Sequence, residues 1–113
     1  MRTKRQHDPI RLEGLIRICG GNPDFAKFML DKFKLSGSEQ IEQIRESFHE
    51  SNWADVKMSA HSLKGSSAML GAISISKLAA EIERDATKNE LARMEANIAR
   101  LQSLIESCDD LSY

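Results

Sequence analysis

The chain has 113 residues and a formal net charge of −1, with 41 % hydrophobic and 29 % charged residues. That length fits one domain, and the balance is too apolar for a disordered chain and lacks the basic excess of a dedicated nucleic-acid binder. No apolar run approaches the roughly 18 residues of a membrane span, and the charged residues 1–6 have no apolar stretch behind them, so neither membrane insertion nor a secretory signal is expected.

The composition points to helix. There are eleven Leu and ten Ile but one Val, and both prolines fall early, at Pro9 and Pro23. No stretch alternates with the period of two that a half-buried strand requires.

Residues 1–7, with His7 among them, read as a flexible tail. Asp8-Pro9 reads as an N-cap followed by proline at the first helical position, opening a short helix lined by Ile10, Leu15, Ile16 and Ile18. Gly20-Gly21 closes it. Asn22-Pro23-Asp24 opens a second helix with an apolar stripe of Phe25, Phe28, Met29, Phe33, Ile41, Ile44 and Phe48. Gly37 within Ser36-Gly37-Ser38 costs about 1 kcal/mol against alanine. The stripe resumes in phase beyond it, so one long helix is expected to about His49, where a cation near the C-terminus is favourable.

Ser51-Asn52 caps a third helix that begins at Trp53. Trp53, Val56, Ala60, Leu63, Ser67 and Leu70 step by three and four along it, and Gly71 is the stop. A fourth helix runs from about Ser74 to Thr87, with Ile75, Leu78, Ile82 and Ala86 inward. Its charges Glu81, Glu83, Arg84 and Asp85 read as a solvated run without acid–base work. A fifth starts near Asn89 and carries Leu91, Met94, Ile98, Leu101, Ile105 and Cys108 as its seam. Short connections make these helices antiparallel neighbours. The expected fold is all-α: an up-and-down antiparallel four-helix bundle over residues 8–110, with a short extra N-terminal helix and a C-terminal tail at 111–113. Such a bundle buries its own seams, so a monomer is expected.

Cys19 and Cys108 form no ligand spacing and suit free thiols in a reducing compartment. His7, His49 and His61 stand at no metal-ligand spacing, so no metal site is expected.

One residue of the third helix does not belong to its seam. At about 100° per residue, His61 falls on the outer side, among Ala54, Lys57, Met58, Lys64, Gly65 and Ala68. Gly65, four residues on, shares its face; alanine would be more stable there by about 1 kcal/mol. Glycine leaves the imidazole uncovered and lets another backbone approach. A neutral imidazole nitrogen is a nucleophile near neutral pH. Lys64, with Lys57 a weaker candidate, offers cationic charge to a phosphoryl group. The chain has no phosphate-cradling glycine loop and no acidic metal cluster, so a partner must supply the rest. Met58 and Met69 are candidate adaptable contacts for that partner.

The run 60–72, Ala-His-Ser-Leu-Lys-Gly-Ser-Ser-Ala-Met-Leu-Gly-Ala, closely resembles the signature of histidine-containing phosphotransfer (HPt) domains of multistep His–Asp phosphorelays. The resemblance extends to Asn52-Trp53, to the Leu78–Glu83 element ending in Ile82-Glu83, and to Gly20-Gly21-Asn22-Pro23-Asp24-Phe25, covering residues 8–110. It implies that His61 is the phosphoacceptor, that Lys64 stabilises phosphoryl charge and that Gly65 gives steric access, with Leu63, Leu70 and Gly71 structural. It implies a shuttle between aspartates of response-regulator receiver domains, hybrid sensor histidine kinases being one source of them. The docking face would comprise Ala54, Lys57, Met58, Lys64, Gly65, Ala68 and Met69. The chain would bind no cofactor of its own, the receiver would bring Mg²⁺, and neither kinase nor ATPase activity is implied. A cytoplasmic setting follows. Met69 departs from the family, which often has Asn or another polar residue there. It is the one feature favouring the alternative, a receiver-binding module without phosphorylation.

Overall fold

The computed structural model describes residues 10–108. The expected tails at 1–7 and 111–113, His7, and the Asp8-Pro9 start lie outside them. Five helices follow in order: α1 (Leu12–Ile18), α2 (Pro23–His49), α3 (Trp53–Met69), α4 (Ile73–Lys88) and α5 (Leu91–Ser107). Helices α2, α3, α4 and α5 pack in sequence, and α5 closes back on α2; α1 lies against α2. This is the expected all-α bundle with its short N-terminal helix. Among the described residues, no helix is long and apolar enough to cross a membrane.

The first helix begins later than expected. Arg11 has extended backbone (φ −92°, ψ 117°), so α1 opens at Leu12 and Ile10 precedes it, buried. The caps of α2 and α3 are as read: Asn22 accepts from the Phe25 amide at 3.1 Å and Asn52 from the Asp55 amide at 3.2 Å. At the end of α3, Gly71 has φ +75°, and the amides of Gly71 and Ala72 bond back to the carbonyls of Ala68 and Ser67. This paired closure needs a left-handed residue, which glycine adopts without penalty.

Helix α2 runs unbroken through Gly37, which is buried against α5; a methyl group there would stand 3.6 Å from Ile105. Leu30, Phe33, Ile41 and Ile44 of α2 meet Val56, Ala60 and Leu63 of α3, Ile75, Leu78 and Ile82 of α4, and Met94, Ile98, Leu101 and Ile105 of α5. Each of these side chains larger than alanine contributes roughly 1.5–3 kcal/mol when fully buried. Ser47 and Ser67 share this interior, and Phe48 packs its ring on Trp53.

Four stripe residues depart from expectation. Phe25, Phe28, Ile18 and Leu91 are all about half exposed. The buried face of α2 passes through Ala26 and Leu30, and Phe28 stands two residues from each, about 200° around the helix. Phe28 instead stacks on Phe25 and lies under the Lys32 ammonium, 5.5 Å from its ring centre. Leu35 is exposed beside them, and among the described residues this face stays largely open.

Asp85 is also misplaced by the sequence reading. It is buried on the α4–α5 seam rather than solvated. Asn97 donates to its Oδ2 at 2.9 Å, and Arg93 Nε lies 3.4 Å from its Oδ1. It stands one turn past Ile82 and so faces α5, where these partners offset the cost of burying a charge.

Candidate functional site

The α3–α4 hairpin builds the site. Ser67 donates to the carbonyl oxygen of Leu63 at 2.6 Å, and Ser76 of α4 donates to that of Lys64 at 3.1 Å. The second bond ties the start of α4 to α3 at this level. Val56, Ala60, Leu63 and Ser67 turn inward, and His61 is left on the surface with 66 % of its side chain exposed.

Glu83 of α4 reaches both His61 and Lys64 of α3. Its Oε2 lies 3.1 Å from His61 Nδ1, and its Oε1 accepts from Lys64 Nζ at 3.1 Å. Partial burial works against charge on this carboxyl. The hydrogen bond and charge of Lys64, and then those of His61, outweigh it and hold Glu83 below the usual carboxylate range. An ionised carboxylate only accepts, so in the neutral ring paired this way Nδ1 carries the proton and the Nε2 lone pair is free. The nitrogen left with a lone pair is thereby the one away from Glu83.

Gly65 leaves open space beside the imidazole: a methyl group built there would meet nothing within 4 Å. Ala54, Met58, Ala68 and Met69 are exposed around it, and Lys57 is half-buried one turn before His61 without an ion pair to Glu83. Both methionines present most of their side chains to solvent. The structure therefore brings together His61, Lys64 and Gly65, with the small and apolar residues spread around them. Among the described residues, no group of three His, Cys, Asp or Glu side chains is placed to hold a metal ion.

Glu83 is the residue whose part the sequence reading missed. The charge run around it looked solvated, yet Glu83 turns back onto α3. The hairpin offered the signal. His61 lies ten residues before Gly71 and Glu83 eleven after Ala72, so an antiparallel pair with its turn there sets them side by side.

The family model for the Hpt domain matches residues 29–111. The chain belongs to the Hpt domain family. Its general role is therefore histidine phosphotransfer in phosphorelays. The fold is similar to that of the Hpt domain of a sensor hybrid histidine kinase from Shewanella, with a TM-score of 0.67 at 18 % identity over 95 % of this chain and 99 % of that one. No curated protein sequence matches the chain.

Proposed function

We propose that this Hpt domain carries a phosphoryl group on Nε2 of His61 and passes it between aspartates of response-regulator receiver domains. The observation that carries the reading is the geometry of His61: exposed, with Nδ1 engaged by Glu83, Nε2 free and open space at Gly65. The free lone pair attacks the phosphorus of an aspartyl phosphate. Lys64 neutralises charge on the transferring group. In this reading the unit spans residues 8–110, acts as a monomer in the cytoplasm and has no kinase or ATPase activity of its own. In the same reading the receiver provides the carboxylates and Mg²⁺. Receivers would dock over Gly65, flanked by Ala54, Lys57, Met58, Ala68 and Met69, where exposed methionines adapt to more than one partner.

The test is transfer from phosphorylated receiver domains, with Mg²⁺ present, to wild type and His61→Gln. Acid-labile, base-stable label on wild type alone is the expected result. Folded wild type that binds receivers but takes no label would favour the non-catalytic docking module.

A further inference from the structure

Glu83 serves two partners with one carboxylate. Oε1 holds Lys64 and Oε2 holds His61, each at 3.1 Å. A lysine committed to a carboxylate is not committed to a phosphoryl group. Yet the site is not locked, since 37 % of the Lys64 side chain is exposed and its stem is flexible.

We propose that Glu83 holds Lys64 in reserve: the lysine leaves Glu83 for the phosphoryl group when His61 is phosphorylated and returns when the group departs. This rests on the His61 reading above and makes Glu83 a positioning residue that sets how tightly the group is held.

The chemistry balances around that exchange. The Nε2 lone pair forms the N–P bond while the P–O bond to the receiver aspartate breaks, its electron pair staying on the carboxylate. The ring keeps its Nδ1 proton and becomes a phosphorylated imidazolium, whose positive charge faces Glu83 Oε2. On departure the N–P pair returns to Nε2 and leaves a neutral ring, still protonated at Nδ1. No proton moves in either direction. What moves is the ammonium, because a phosphoryl dianion attracts it more strongly than a single carboxylate does. Forming the phosphohistidine therefore costs the Lys64–Glu83 pair, and losing the group restores it. A lysine with no competing acceptor would hold the group more firmly, which suits storage rather than relay.

A double-mutant cycle separates the exchange from the direct effect of Glu83 on the ring. Wild type, Glu83→Gln, Lys64→Ala and the double variant are each equilibrated with a receiver domain phosphorylated by a small acyl phosphate in the presence of Mg²⁺. The fraction of phosphoryl on His61 is then read. Glutamine keeps an acceptor for Nδ1 but loses the charge that holds the lysine. Circular dichroism checks that all four proteins are folded. The expected result is that Glu83→Gln favours retention on His61 by about fivefold more with Lys64 present than with Lys64→Ala. Equal effects in the two backgrounds, or coupling of opposite sign, would overturn the exchange and leave His61 as phosphoacceptor untouched. Absence of label on folded wild type from every receiver tried would overturn both.

Discussion

His61 and Glu83 stand 22 residues apart in the chain and 3.1 Å apart in the fold. Because the carboxylate takes Nδ1, the imidazole presents Nε2 outward. The same carboxylate binds Lys64, so the two α3 residues of the proposed phosphoryl chemistry are tied to one point on α4. The contact depends on helix register as much as on residue identity.

That tie makes stability pH-dependent, and the sign follows from the direction of the Glu83 shift. A carboxyl held below its unfolded value adds stability that is present above that value and lost as pH falls through the folded one. His61→Gln removes the imidazole titration from the comparison. In that background, the stability difference between Glu83 and Glu83→Gln, measured by urea unfolding, should be largest at neutral pH and shrink below about pH 4. A difference constant from pH 7 to acid would contradict the charged pairing.

Two mid-helix glycines offer a control for each other. A methyl group at Gly37 would make ordinary contact with Ile105 and Phe33, and one at Gly65 would enter open space. Gly37→Ala and Gly65→Ala should each raise unfolding stability, by up to about 1 kcal/mol. Only Gly65→Ala should slow transfer from a receiver, since it narrows the approach to His61. Equal transfer rates in the two variants would remove Gly65 from the docking argument.

The buried Asp85 gives a larger structural effect. Asp85→Ala leaves Asn97 without its acceptor at the α4–α5 seam, and the expected loss is about 2 kcal/mol. Replacing Asp85 and Asn97 together by apolar residues of similar shape should cost less than the single change, as denaturant midpoints would show. Transfer by the folded fraction should be unchanged, because Asp85 does not touch His61 or Lys64.

The helices and most of the core were legible because steps of three and four record burial directly. The placing of His61 outside the seam of α3 followed from the same arithmetic. Phe25 and Phe28 misled the reading because apolar character alone does not say which side of a helix is covered. Arg11, extended, makes α1 open at Leu12, a backbone choice the sequence did not announce. Asp85 and Glu83 were unreadable from local sequence for one shared reason. They sit on one short charged stretch of α4, yet one turns to α5 and the other to α3, and only the packing of three helices tells them apart.

The proposed chemistry converges on one atom, Nε2 of His61. It is tested most directly by phosphorylating the ¹⁵N-labelled chain from a receiver domain and reading the imidazole nitrogens and ³¹P by NMR. The expected result is an N–P bond at Nε2, with Nδ1 still protonated. A phosphoryl group on Nδ1, or on another residue while His61 stays unmodified, would contradict it.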